Sequence, residues 1–220
     1  MAVTTATHYT QEMHTLRQSL IRMGGLVEEM LGCVIEAMAS HDAKLAGRVV
    51  EMDKKVDKLE KEIDEQCLRL LALHQPAAVD LRFVTMSMKF VTDLERMGDL
   101  VGNVAERVID LASEARMQPY VDLPRMAELT RAMINKALDA FVDRNTDLAE
   151  QVLIDDDMVD ELHWQIHRNL MKRMVQDTAM VQRGVNLMLI TKHLERLGDH
   201  ATNIAEEVIF LVKGRDVRHQ

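Results

Sequence analysis

Apolar residues recur along this chain at alternating steps of four and three. Phe90, Leu94, Met97, Val101, Val104, Val108 and Leu111 form one such series. Ile190, Leu194, Leu197, Ala201, Ile204, Val208 and Leu211 form another, 100 residues later. This spacing keeps each series on one stripe of an α-helix, turned toward a core. Leu16, Leu20, Met23, Val27, Met30 and Val34 make a further stripe, and Met52, Val56, Leu59 and Ile63 yet another. No run of alternating apolar and polar residues marks a strand.

Breakers divide the stripes into six helices. The first is expected from about Thr10 to Ser40, where Ser40-His41-Asp42 reads as a capped turn. The second runs from about Ala43 to Leu73, and His74-Gln75-Pro76 stops it because proline disfavours helix in the residue before it. Asp80 is a candidate N-cap for the third helix, which extends to about Glu114, although a start at Ala77 is also open. Residues 115–124 hold two of the three prolines, Pro119 and Pro124, and read as a linker. The pattern then restarts. A fourth helix covers about Arg125 to Asp143 and a capped turn follows at Asn145. A fifth covers Leu148 to Val175 and a sixth Val181 to Lys213, with Gly214 as its C-cap and a loose tail beyond. Short connections favour antiparallel neighbours. The expectation is an all-α chain of two tandem three-helix bundles, residues 1–116 and 117–220.

The two halves share more than a stripe. Glu95-Arg96-Met97-Gly98-Asp99-Leu100-Val101-Gly102-Asn103-Val104-Ala105-Glu106 matches Glu195-Arg196-Leu197-Gly198-Asp199-His200-Ala201-Thr202-Asn203-Ile204-Ala205-Glu206 at seven of twelve positions. An internal repeat constrains the architecture before any local reading. Here it also preserves polar residues, which packing alone does not require.

Composition fits packed helices: 47% hydrophobic residues, 3% aromatic residues and 17 methionines. A net charge of −9 argues against general nucleic-acid binding, which needs a basic patch. Cys33 and Cys67 sit in apolar helical patterns and read as buried thiols. No stretch reaches the length of a membrane helix, so no direct membrane insertion is expected. The first residues lack a basic segment followed by an apolar one, so no signal peptide is expected and the chain reads as cytoplasmic.

The polar part of the repeat carries the candidate chemistry. Glu95, Asp99 and Asn103 step by four, as do Glu195, Asp199 and Asn203, forming ridges off the apolar stripe. The second and fifth helices carry their own acid pairs four apart, Asp53 with Asp57 and Asp156 with Asp160. Val56 aligns with Val159 and Leu59 with Leu162, so these pairs are equivalent at an offset of 103 residues. Like charges at this spacing repel by a few tenths of a kcal/mol when exposed. If the ladders of neighbouring helices face one side, four carboxylates and an amide converge, as hard cations require. Gly98 and Gly198, between the two acids of each ridge, would leave room for an ion or a second backbone. A plain solvated face is the alternative, with Arg96 and Arg196 neutralising their neighbours. His200 stands where the first half has Leu100. His163 and His167 stand where it has Glu60 and Asp64, so the two clusters need not prefer the same metal.

With these residues in view, the chain resembles the PhoU family of phosphate-transport-system regulatory proteins. The duplicated E-R-x-G-D-x-x-x-N-x-A-E motif carries the resemblance. Gln75-Pro76-x-x-x-Asp80-Leu81-Arg82 and the closing Val212-Lys213-Gly214-Arg215-Asp216-Val217-Arg218-His219 agree with it. The resemblance implies two three-helix bundles with pseudo-twofold symmetry and no catalysis. It implies acid ladders that bind divalent or trivalent metal ions such as iron, zinc, manganese or magnesium, in some members as multinuclear clusters. Carried over, the metal set is Asp53, Asp57, Glu95, Asp99, Asp156, Asp160, Glu195 and Asp199, with Asn103 and Asn203 as additions. It further implies a homodimeric negative regulator of the phosphate-starvation response, linking a phosphate ABC transporter ATPase to a sensor histidine kinase. Asp80-Leu81-Arg82 has no counterpart in the second half, where Met180-Val181-Gln182 stands.

Two other functions remain open from the residues. A di-metal carboxylate oxidase or ferroxidase would use the ladders, yet such bundles bury their metals with Glu-x-x-His pairs, and none occurs here. A metal-independent helical scaffold would use the same acids to dock a basic partner.

Overall fold

A computed structural model describes residues 2–113 and 122–214, with side chains from His8 onward. Its helices are α1 (Ala2–Ser40), α2 (Ala43–His74), α3 (Ala78–Ala112), α4 (Asp122–Asp143), α5 (Thr146–Gln176) and α6 (Val181–Lys213). A single 3-10 turn, Thr178–Met180, leads into α6. The described residues contain no strand, and none of their helices is long and apolar enough to cross a membrane.

The expected stripes are the buried faces. Leu16, Leu20, Met23, Val27 and Met30 are fully buried on α1, as are Leu94, Met97 and Val101 on α3 and Ile190, Leu197, Ala201 and Ile204 on α6. Three helices bundle in each half, and the two bundles are joined along α3 and α6, with α4 also touching α1. The buried residues of both halves form one continuous core. The tandem bundles therefore fold onto each other rather than sitting as beads. The expected boundary at residues 116 and 117 lies outside the described residues.

Caps and turns follow local chemistry. Asp42 accepts from the backbone N–H groups of Lys44 and Leu45 at 2.9 and 3.1 Å. Asn145 does the same for Asp147 and Leu148 at 3.0 and 3.2 Å. Each satisfies donors that a helix start leaves free. Gly214 ends α6 with φ of 66°, in the left-handed region that glycine enters without penalty.

Two boundaries differ from expectation, and at a third the structure takes the earlier of the two starts left open. α1 begins at Ala2 rather than Thr10, because nothing in the first turns breaks a helix and tertiary contacts hold it. The Tyr9 hydroxyl donates to Asp80 at 2.8 Å, and Glu12 pairs with His74 at 2.8 Å. Asp80 is therefore not the N-cap of α3. Ala77 takes that position with no side-chain bond, and Asp80 sits in the first turn. α4 starts at Asp122, so part of the expected linker is helical. Pro124 falls in the first turn, where its missing N–H costs nothing. Gln165 of α5 donates to Asp122 at 3.4 Å, and Leu123 is buried.

Three of the four phenylalanines gather between the halves. Phe141 of α4 stacks on Phe90 of α3 with ring centroids 3.9 Å apart and lies 6.3 Å from Phe83. Truncating a buried phenylalanine removes its transfer energy and leaves a cavity. Phe141→Ala is expected to lower the unfolding free energy by about 3 kcal/mol, read from urea denaturation followed by circular dichroism. A separate early transition of the second half, absent in the parent protein, would accompany it if this contact couples the bundles.

Candidate metal centres

The ladders of neighbouring helices meet. In the first half α2 runs antiparallel to α3 and brings Asp53 against the backbone of α3. A Cβ at Gly98 would lie 2.9 Å from Asp53 Oδ1 and 3.1 Å from a Val56 methyl. A Cβ at Gly102 would lie 3.6 Å from Asp53 Oδ2. The second half repeats the approach: a Cβ at Gly198 would lie 3.0 Å from Asp156 Oδ1. Packing therefore favours glycine at 98 and 198, where the neighbouring carboxylate takes the place of a side chain, whereas a Cβ at Gly102 would make only ordinary contact.

Asp53, Asp57 and Asp99 each offer an oxygen within 4.8 Å of the others. All three are half-buried. Asp53 Oδ1 is buried with no hydrogen-bond partner. A buried carboxylate oxygen left unpaired is costly, and a cation would satisfy it. Glu95 borders this group and feels Asp99, Glu60 and Asp57. Arg96 lies across the rim, 3.5 Å from both Glu95 and Asp99. Asn103 is exposed, one turn beyond Asp99.

In the second half Asp156, Asp160, Glu195 and Asp199 share one field. Asp160 and Asp199 are exposed, and Asp156 and Glu195 are half-buried. This group is looser than the first. Asn203 is turned elsewhere: its amide donates to Asp93 of α3 at 3.3 Å. His200 joins it there, its Nδ1 2.7 Å from the same Asp93 oxygen. Thus His200 binds across the junction of the halves, while still lowering the pKa of the nearby Asp199. His163 is buried, close enough to Glu195 to favour its charged form, and its Nδ1 has no hydrogen-bond partner. His167 stacks 4.1 Å from it and meets Thr191 Oγ1 at 2.9 Å. The first centre is built from oxygen ligands, whereas the second has an imidazole beside it. Asp93 was not singled out in the sequence, since its counterpart His193 breaks the repeat. Reading that break as two sides of one junction would have found it.

Electrostatics mark both groups. Burial, then Asp99 and Asp57, push Asp53 from its ordinary 3.8 up to about 6. Burial, then Asp160 and Asp199, push Asp156 likewise to about 6. Glu95, Glu195 and Asp199 are raised too, chiefly by burial. The direction is that of carboxylates crowded without a counter-charge. Cys67 is a buried free thiol pushed up to about 12, while Cys33 is free and half-buried.

Comparison with known proteins gives a consistent result. The family model described as PhoU domain matches residues 20–108 and 123–208, one match in each half. The chain is similar to a phosphate-specific transport system accessory protein PhoU homolog of Pseudomonas aeruginosa, 41% identical over 96% of this chain and 88% of the relative. It is similar to the crystal structure of PhoU from Pseudomonas aeruginosa, with a TM-score of 0.91 and 39% identity, over 94% of this chain and 100% of that one. The crystal structure of the phosphate transport system regulatory protein PhoU from Streptococcus pneumoniae gives 0.88 at 30% identity, over 95% of this chain and 99% of that one.

The raised carboxyls have a measurable consequence. Their folded-state pKa lies above the unfolded value, so the native chain holds more protons through the window from 3.8 to about 6. Stability falls as pH rises through that window and the loss is complete above it. Half-buried His167 and His193, whose pKa values are lowered, act in the opposite sense as pH falls below their ordinary 6.5. The difference between two proteins isolates the carboxyl part. In chelator-treated samples, Asp53→Asn with Asp156→Asn is expected to raise Tm at about pH 7.5 and to add little at about pH 4.5. Differential scanning calorimetry at both pH values reads this directly.

Proposed function

The chain belongs to the PhoU family, and on that premise we propose that it is a non-enzymatic negative regulator of the phosphate-starvation response. It restrains a sensor histidine kinase while phosphate is plentiful, in contact with the ATPase of a phosphate ABC transporter. The relatives are named as accessory or regulatory proteins of phosphate transport, which supports a regulatory role rather than catalysis. The observation that carries the reading further is the tight carboxylate group of the first half, repeated in looser form in the second, each with a glycine opposite its aspartate.

Those centres fit divalent or trivalent cations. Asp53, Asp57, Glu95 and Asp99 would hold an ion in the first half. Asp156, Asp160, Glu195 and Asp199 would do so in the second. The orphaned Asp53 oxygen and the glycine cradles support this assignment. A bound cation would cancel the mutual repulsion of the acids and turn a strained acidic face into a firm one. The all-oxygen first centre favours magnesium, manganese or ferric iron, while His163 tilts the second toward zinc or ferrous iron. A regulator built this way presents rigid faces to its partners, as a homodimer without membrane insertion.

A second reading has its own support. Arg96 already reaches Glu95 and Asp99, so the acids accept a guanidinium readily. On this reading they dock arginines of a partner and hold no metal. Elemental analysis of protein purified without chelator separates the two. The metal reading expects bound ions that fall away in Asp99→Ala with Asp199→Ala. Docking acids without metal predict a metal content that the same variant leaves unchanged while its partner binding is lost.

The regulatory function is tested in cells. Deleting the gene is expected to raise phosphate-responsive expression by at least tenfold in phosphate-rich medium (about 1.4 kcal/mol of restraint on the kinase equilibrium). Pull-downs with the tagged protein are expected to recover the transporter ATPase and the kinase. Unchanged expression together with empty pull-downs would remove the proposal.

A further inference from the structure

The open end of the first bundle holds a group of side chains that the ladders do not use. His8 and Glu12 stand four apart on α1 and therefore share one face of the helix. His74 is the last residue of α2, which runs antiparallel to α1 and stops at the left-handed Gln75 before Pro76. The antiparallel pairing sets His74 beside Glu12. Each of the three side chains offers one ligand atom, and these atoms lie within 4.8 Å of one another. Glu12 sits in the middle. Its Oε1 is 3.4 Å from His8 Nδ1, and its Oε2 is 2.8 Å from His74 Nε2.

We propose that His8, Glu12 and His74 form a transition-metal site, distinct from the acid ladders and suited to Zn2+. Two imidazoles and one carboxylate are borderline ligands, which select zinc and its late transition-metal neighbours over magnesium and calcium. Ligands about 2.0–2.1 Å from a tetrahedral zinc stand roughly 3.3 Å apart, which the His8 contact matches at 3.4 Å, while the 2.8 Å His74 contact is a hydrogen bond that an ion would open slightly. Three protein ligands leave the fourth position to water or to another group.

The surroundings support an ion there. The side chain of His74 is 13% exposed and that of Glu12 is 24% exposed, whereas His8 is 68% exposed. Two ligands are thus fixed by packing, and the third is free to close from the solvent side. The Tyr9 ring packs 5.1 Å from the His74 ring and its hydroxyl donates to Asp80 at 2.8 Å. The tyrosine, anchored by Asp80, packs against the His74 ring and restrains its orientation. Arg69 lines the neighbouring groove with Glu12, Thr15 and Gln66. An ion here ties the start of α1 to the end of α2, at the end of the bundle remote from the α1–α2 turn.

The site does not rest on the ladder reading, and its test keeps the two apart. Full-length protein is stripped with chelator, dialysed at neutral pH and titrated with Zn2+ against a chromophoric competitor. A ladder-neutralised protein, Asp53→Asn, Asp99→Asn, Asp156→Asn and Asp199→Asn, is expected to retain one zinc equivalent. His163→Ala in that background is expected to leave it unchanged. His8→Ala and His74→Ala are expected to weaken it by more than the roughly 10–100-fold typical of losing an outer partner. Because His8 is largely exposed, His8→Ala tests the site without endangering the fold. Zn2+ is also expected to protect the first turns of α1 from limited proteolysis, and His8→Ala to abolish that protection. Zinc uptake by the ladder-neutralised protein that is unaffected by His8→Ala, or no uptake at all, overturns the proposal. In that case the three side chains are a hydrogen-bonded clamp only.

Discussion

The closeness of α2 to α3, and of α5 to α6, is the constraint on which the acidic faces depend. At Gly98 and Gly198 a helix backbone lies against the carboxylate of the neighbouring helix, so close that a Cβ would force that carboxylate to shift. Carboxylates do not gather this way by mutual preference. Each exposed like-charge pair costs a few tenths of a kcal/mol. The stripe beneath them more than offsets that cost. Val56, Val101 and Met97 are fully buried, and each buried side chain of this size contributes about 1.5–3 kcal/mol. The core therefore holds the acids together, and the acids store a repulsion that a counter-charge can relieve.

Much of the fold was legible because its signals are periodic and local. Four four/three stripes, with the breakers between and after them, located six helices, and the caps at Asp42 and Asn145 and the stop at Gly214 fell where local chemistry required them. The errors fell where distant contacts or position within a turn override local signals. Asp80 looks like a cap in isolation, but the Tyr9 hydroxyl engages it and the helix starts before it. Pro124 looks like a breaker, yet the first turn of α4 tolerates it. For the centres, spacing of four identified which acids share a ridge. It did not reveal that Asp53 and Asp156 would be the most enclosed acids of their groups, since that depends on how deep the glycine opposite lets them sink.

The halves have kept their backbone and diverged in chemistry. Where the first half places Glu60 near its centre, the second places His163, buried and with one ring nitrogen unsatisfied. The tight triad of Asp53, Asp57 and Asp99 has a looser and more exposed counterpart. Equivalent positions thus carry different donor atoms in different degrees of enclosure. Two sites on one scaffold then need not fill at the same concentration of the same ion.

The junction of α3 and α6 carries the last consequence. Asp93 receives both His200 and Asn203 from the opposite half, whereas its counterpart His193 is half-buried among Lys192, Arg196 and Arg107 with Nδ1 unpaired. Pseudo-twofold symmetry makes each half face the other through equivalent positions. Two copies of the first half, docked the same way, would set Asp93 against Leu100. Two copies of the second would set His193 against His200. Only the mixed pairing matches acid with imidazole. The Asp93 contact thus needs one copy of each half, so it specifies that the two halves associate with each other rather than each with its own kind.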